Sequence, residues 1–216
     1  MSETYYKVLD EDRRPIHGGT GQWAPTAWMP VITDPEPCVR GYHLCRRQDL
    51  VVWLGPTIWV AKAGPVVVPD GDKVVSNTAR LVRRVGTWDE VTARLFAADC
   101  AEHALHLFEA QRPDDSRPRD AIVAARWFAL SDLGPAAGAA ARDAAGDAAW
   151  AAAGDAAGAA AGARPAAGAA ARPAAWAAAR DAAWAAERVW QTECLFDWLE
   201  NRRTVQHVRE EMAQHE

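Results

Sequence analysis

The side chains best suited to chemistry lie in one short segment, which reads CVRGYHLC. It places Cys38, His43 and Cys45 within eight residues. Thiolate and imidazole groups are the ligands that zinc prefers. The spacing is not that of a zinc knuckle, however, and cysteine is commonly a small buried apolar residue. We therefore assign no metal and expect a buried cysteine pair in a packed strand. If zinc did bind, its fourth ligand would come from Cys100, His103 or His17.

A glycine-rich segment, HGGTGQW, occupies residues 17–23. Loops that cradle phosphate groups have the spacing GxGxxG or GxxxxGK[ST] and lead into a helix, whose first N–H groups face the anion. This segment has neither spacing, and no helical pattern follows it. The sequence therefore predicts no phosphate cradle in this loop, and it indicates no cofactor.

The elements around these residues have the pattern of strands. Short runs rich in Val, Ile, Tyr and Trp alternate with Gly, Pro and Asp. The dipeptides of a turn, Pro-Asp and Gly-Asp, stand at 69–72. We expect residues 1–86 to form a small β-rich domain of an α+β protein, with strands in YYKVL, DLVVWLG, TIWVAKA, PVVV and ARLVRRV.

Part of this region resembles a known kind of domain. The string RGYHLC, followed by DLVVWLG and TIWVAKA, resembles small phage-encoded domains of unknown function with a C-x-x-G-[FY]-H-x-C pattern. It is distantly similar to ADP-ribosyltransferase-like folds. That resemblance implies an enzyme, with His17 and His43 as the residues for cofactor binding or base catalysis. Residues 1–86 depart from the family in having no Q/E-x-E motif.

The pattern becomes helical from Thr87, and residues 87–135 are predicted to form a helical bridge. Thr87 and Glu90 have the spacing of a capping box. Apolar residues then recur at intervals of three and four, as on one face of a helix, and a second helix follows the segment RPDDSRP. The residues expected to face inward are Val91, Leu95, Phe96, Cys100, Ala104, Leu107 and Phe108, then Ala121, Ile122, Ala125, Trp127 and Phe128.

The bridge also resembles a known family. The segment LFAADCAEHALHLFEAQRPDDSRPRDAIVAARWFA, from Leu95 to Ala129, resembles the opening of an immunity-protein family of bacteria and phages. That family continues in Ala-rich helices. The resemblance implies an all-α C-terminal module that binds and neutralises a toxin, and it brings no catalytic residues.

The last part, residues 136–216, begins with a tetrapeptide repeat of the type DAAG, DAAW and AAAR. Alanine has the highest helix propensity, so the repeat predicts helices. Glycines four residues apart allow close approach of another backbone, while Pro165 and Pro173 predict helix starts or kinks. We expect kinked, closely packed helices, arranged as one rod, as several antiparallel helices or as a solenoid. A final helix, with Val189, Leu195, Phe196 and Leu199 inward, is expected to fray beyond His207.

The large side chains of the repeat are candidates for partner binding. Trp and Arg are enriched in the binding hot spots of protein interfaces. The alternative is that the tryptophans fill a core in which alanine leaves space. The candidate residues are Trp150, Trp176, Trp184, Arg172 and Arg180.

Composition excludes several classes of function. The chain has 24 Lys and Arg against 29 Asp and Glu, a net charge of −5, and no basic stripe, so we expect no nucleic-acid partner. Arginine and aspartate interrupt the Ala tract, so we expect no membrane span. Four cysteines without CxxC spacing fit a reducing cytoplasm.

Three hypotheses for the function follow. The first is a non-enzymatic protein of the immunity or anti-defence type that occludes a protein partner, such as a toxin or a defence component. The second is an ADP-ribosyltransferase-like or nucleotide-binding small enzyme. The third is a structural phage protein that assembles with copies of itself.

Overall fold

The computed structural model of the chain describes residues 3–131 and 172–214, with the backbone alone from 172 to 182. Its contacts divide the chain into two compact units. The N-terminal unit comprises Met1–Glu90 and Leu195–Glu200, and the helical unit comprises Val91–Cys194 and Asn201–Glu216. The arrangement is α+β, as the sequence predicts. The repeats before residue 172, and the choice among a rod, antiparallel helices and a solenoid, lie outside the described residues.

Six strands in two antiparallel sheets form the frame of the N-terminal unit. The first sheet has the order β1-β3-β6, from Tyr5–Leu9, Thr57–Ala63 and Ala79–Arg84. The second has the order β2-β5-β4, and it is built from Tyr42–Leu44 (β2), Val67–Asp70 (β4) and Lys73–Ser76 (β5).

The sheets form where the sequence supplies β-branched and aromatic residues that pack well on a pleated surface. The buried core comprises Leu9, Leu44, Ile58, Val75 and Leu81. Between β4 and β5, Asp70 pairs with Lys73, and Gly71 has a φ of 55° in the left-handed region that favours glycine. The predicted turn at 69–72 is thus a tight hairpin connection.

The strand predicted in the segment DLVVWLG is wrong. The segment contributes instead to a short 3₁₀ helix, Arg47–Val52. Asp49 is buried in it and pairs with the guanidinium of Arg46. A short apolar run does not distinguish a strand from a buried helical turn. Here the local Arg46–Asp49 pair favours the turn.

In the helical unit, α1 is Glu90–Glu109, α2 is Arg117–Leu130, α3 is Arg172–Leu199 and α4 is Val205–Ala213. The last turn of α3 belongs to the N-terminal unit, where the Phe196 ring lies 5.3 Å from that of Tyr6. The Thr87 hydroxyl donates to the Leu199 carbonyl, at 2.8 Å, and the capping box stays a prediction.

Three residues that were expected to face inward are exposed: Leu107 at 47%, Trp127 at 44% and Val189 at 65%. In the C-terminal half of α1 the buried residues are Leu105 and Phe108, three positions apart. Leu107 is within two positions of both, so it cannot share their face.

The final helix also differs from the prediction. It ends at Leu199, and the chain continues into α4 instead of fraying. Val208 and Met212 of α4 are buried. The Thr204 hydroxyl accepts the His207 amide hydrogen and caps the helix.

Ion pairs around the buried Asp99 and Arg126 connect the elements of the helical unit. Asp99 of α1 lies 2.7 Å from a terminal nitrogen of Arg126 in α2 and 3.2 Å from Arg203, which precedes α4. Glu102 binds the same Arg126, at 2.6 Å, and Glu211 pairs with Arg203. These groups compensate one another, because a buried charge is costly unless it is paired.

Candidate functional site: a basic cleft in the N-terminal unit

A cleft of about 320 Å³ opens in the N-terminal unit. Its size is at the small end of the range for small-molecule sites. We call it the basic cleft, because its lining residues include Lys, Arg and His but neither Asp nor Glu. The residues that line it are Lys7, Val8, His17, Gly18, Gly19, Cys38, Val39, Arg40, Gly41, His43, Leu44, Cys45, Trp53 and Lys73.

Lys7, at the centre of β1, contributes the most confined of these charges. Its ammonium group donates to the His43 carbonyl, at 3.0 Å, and lies 5.3 Å from the centre of the Trp23 ring. Among the described residues it has no carboxylate partner. Burial lowers the pKa of Lys7 to about 8, because the charged form loses its hydration.

His43, on β2, lies beside this lysine. Its Nε2 accepts a hydrogen bond from the Cys38 amide, at 3.1 Å, which leaves the ring proton on Nδ1. Burial lowers the pKa of His43, and the charges of Lys7 and Lys73 lower it further. The ring is therefore neutral near pH 7 and can donate from Nδ1.

A second wall of the basic cleft is built around Trp53. The indole N–H donates to the Asp72 carbonyl, at 3.1 Å, which holds the ring in place. His17 packs edge-on against this ring at 5.2 Å, and the Lys73 ammonium lies 5.3 Å from its centre. Lys73 is also paired with Asp70, at 2.9 Å, so its charge is largely compensated.

Two loops with left-handed backbone complete the cleft. Gly18 and Gly19 have φ values of 85° and 93°, and a Cβ on Gly18 would meet no atom within 4 Å. Gly41 has a φ of 125°, and a Cβ there would lie 2.4 Å from Cγ1 of Val75. Glycine is therefore needed at position 41 for packing, whereas at position 18 it leaves backbone open to the cleft.

The three residues considered for zinc do not form a metal site. Cys45 is buried, its backbone pairs with Tyr6, and burial raises the pKa of its thiol to about 12. Cys38 is exposed, and its backbone N–H donates a hydrogen bond to His43 Nε2, which a metal would otherwise use. In the part of the chain that the structure describes, no group of three or more His, Cys, Asp or Glu side chains could hold a metal ion.

The residues considered for catalysis, His17 and His43, do line the same cleft. His17 Nε2 lies 3.3 Å from the Trp53 carbonyl. The lining offers these histidines no carboxylate partner for acid–base work. The arrangement is chemically suited to holding a negative charge.

Sequence reasoning missed Lys7, Arg40, Trp53 and Lys73. One signal was present: the chain has three lysines, and two of them line the basic cleft. Nothing in their local sequence indicates this, because Lys7 and Lys73 belong to strands of different sheets.

Of the residues considered for partner binding, Trp184 is the one whose side chain the structure describes. It is 64% exposed on α3, beside exposed Ala183, Ala185 and Ala186. Arg188, one turn further along, is also exposed. Trp150 and the side chains of Arg172, Trp176 and Arg180 lie outside what is described.

Comparison with protein-family models, with curated proteins and with solved structures finds no match to this chain. Within the described residues, the helices are too short or too polar to cross a membrane.

Proposed function

We propose that the N-terminal unit binds a small anionic ligand in the basic cleft, and that the protein acts by binding and not by catalysis. The observation that carries this proposal is the charge of the lining. Lys7 and Arg40 contribute cations, Asp70 and Asp72 compensate the charge of Lys73, and neither Asp nor Glu is among the lining residues.

The environment of Lys7 supports the proposal further. A buried charge is stable only when hydrogen bonds and an opposite charge replace the water that it loses. Lys7 has a hydrogen bond to a carbonyl, but it has no acidic partner among the described residues. A bound anion would supply the missing charge and so would bind favourably.

The same lining argues for binding over group transfer. The resemblance to ADP-ribosyltransferase-like folds implies a catalytic glutamate, and acid–base chemistry on histidine commonly uses an orienting carboxylate. Neither Asp nor Glu is in the lining. Both histidines lie within hydrogen-bonding distance of backbone groups, which suits a role in shaping the cleft.

The proposal is tested by the thermal stability of the purified chain in sulfate, phosphate and citrate at constant ionic strength. A ligand at 100 times its Kd stabilises the folded state by about 2.7 kcal/mol, so we expect at least one anion to raise Tm. Lys7→Met should abolish the increase. Lys62→Met, at an exposed position on β3, is the matched control and should keep it. An increase of equal size in all three proteins would contradict a site at Lys7.

A protein partner is the second candidate, of the immunity or anti-defence type. Its support is the exposure of Trp184 in an alanine-rich helix, with Arg188 on the same face. A large aromatic side chain exposed to water gains from burial at an interface. The partner would be a toxin or a defence component whose surface is blocked by this face of α3.

This second candidate is tested by reconstitution. Proteins captured by the tagged chain are purified and titrated against the wild type, Trp184→Ala and Trp28→Ala. Trp28 is the matched control, because it is an exposed tryptophan of the N-terminal unit. We expect Trp184→Ala alone to weaken the complex, by about tenfold or more. If the captured species is the chain itself, self-assembly replaces the occlusion hypothesis.

A further inference from the structure

The charges of the basic cleft indicate how many negative charges its ligand carries. Lys73 is compensated by Asp70 and Asp72, at 2.9 and 3.8 Å. Lys7 and Arg40, in contrast, hydrogen-bond to backbone carbonyls, and no acidic partner for either occurs among the described residues. Two uncompensated cations match two negative charges, whereas a monoanion would leave one of them unpaired.

Arg40 is suited to a phosphate group. Its Nε donates to the Asp34 carbonyl, at 2.6 Å, which leaves the two terminal nitrogens for another acceptor. A guanidinium binds phosphate through two parallel hydrogen bonds, and a lysine ammonium contributes a compact charge. A phosphate monoester carries close to two charges at neutral pH on a single tetrahedral group. Its oxygens can accept from a guanidinium and an ammonium group at once.

Other lining residues are apolar, and an inorganic ion would leave their carbon surface uncovered. Val39 and the Trp53 ring contribute accessible carbon surface to the cleft. A cleft of about 320 Å³ holds a small organic molecule. Carbon surface stabilises a ligand only when the ligand carries an apolar group to cover it.

Building on the proposed function, we propose that the ligand is a small phosphate monoester, with its phosphate between Lys7 and Arg40 and its organic group against Val39 and Trp53. Neutral His43 donates from Nδ1 to the same region of the cleft. The open backbone at Gly18 lets the ligand approach the main chain without meeting a side chain. This arrangement is unlike a phosphate loop at a helix start, because the charge is supplied by side chains from separate elements.

The test is isothermal titration calorimetry with phenyl phosphate, inorganic phosphate, succinate and benzoate, at constant ionic strength near pH 7.5. We expect phenyl phosphate to bind about tenfold more tightly than inorganic phosphate, because it alone combines the dianion with an apolar group. Succinate and benzoate should bind more weakly than either. Lys7→Met and Arg40→Gln should each weaken phenyl phosphate by about tenfold or more. Lys62→Met should leave its affinity unchanged.

A second readout is the ring of His43, followed by NMR. A phosphate dianion beside it favours the protonated form, so phenyl phosphate should raise the pKa of His43. The wild-type protein and the Lys62→Met control should both give this shift. Arg40→Gln, at an exposed position, should lose it while remaining folded.

The possible results separate this inference from the proposed function. If succinate or benzoate binds as tightly as phenyl phosphate, the cleft takes anions but does not select phosphate monoesters, and the inference is overturned. If inorganic phosphate binds as tightly, the organic group makes no contact and the inference again fails. If none of the four binds, the proposed function fails with it.

Discussion

Replacing Lys7 by methionine should change the way in which the stability of the N-terminal unit depends on pH. Methionine keeps an unbranched side chain and can still pack on Trp23, but it removes the buried ammonium group. It also removes the hydrogen bond to the His43 carbonyl, of 3.0 Å. The substitution thus removes the free-energy cost of a buried charge and adds the cost of one lost hydrogen bond.

The magnitude follows from the pKa of Lys7. Burial lowers it from 10.5 to about 8, and a tenfold change in proton affinity corresponds to about 1.4 kcal/mol. The buried charge therefore costs on the order of 3 kcal/mol below pH 8. Between pH 8 and 10.5 the unfolded chain binds more protons than the folded one, so stability rises with pH and the cost disappears.

The lost hydrogen bond costs about 1 kcal/mol at any pH. Lys7→Met should consequently be more stable than the wild type by about 2 kcal/mol near pH 7. It should lose this advantage as the pH rises and become less stable, by about 1 kcal/mol, above pH 10.5. The reversal is the diagnostic result, because a simple packing effect would not change sign with pH.

The assay is urea unfolding of both proteins, followed by tryptophan fluorescence, at several values between about pH 7 and about pH 11. The difference between the two proteins is the quantity to use. Burial raises the pKa of Tyr5 to about 12, which lowers stability at high pH, but it does so in both proteins. The stability of Lys62→Met should depend on pH in the same way as that of the wild type. A difference between wild type and Lys7→Met that stays constant over this range would refute the argument.

Three further substitutions test the packing of the two units, each by urea unfolding. Gly41→Ala should destabilise by about 2 kcal/mol or more, since its Cβ would lie 2.4 Å from a β5 valine methyl group and its φ is 125°; an unchanged midpoint would show that the loop relaxes freely. Asp99→Ala should cost about 3 kcal/mol, because it leaves Arg126 and Arg203 without their shared buried carboxylate; a neutral result would mean that the neighbouring glutamates suffice. Thr204→Ala should cost about 1 kcal/mol through loss of the α4 cap, whereas Thr204→Ser should retain most of that stability.

Much of the architecture was predictable from local sequence. The runs YYKVL, TIWVAKA and ARLVRRV form strands as expected, because β-branched and aromatic residues favour a pleated surface wherever the chain places it. The helical periodicity after Thr87 likewise predicted α1 and α2. Errors arose where a local pattern fits two structures. DLVVWLG could be a strand or a buried turn, and Leu107 could belong to either side of α1.

The sequence also named four residues of the basic cleft, His17, Cys38, His43 and Cys45, because their side chains are chemically distinctive. It could not predict that Lys7 lies against the His43 carbonyl or that Lys73 lies over the Trp53 ring. Strand pairing brings these residues together, and pairing depends on contacts between segments far apart in the chain. In the folded unit Lys7 has no carboxylate partner among the described residues, whereas Lys73 is paired with Asp70. Residue types are local properties of the sequence, but the charge balance of a cleft is set only when the sheets have formed.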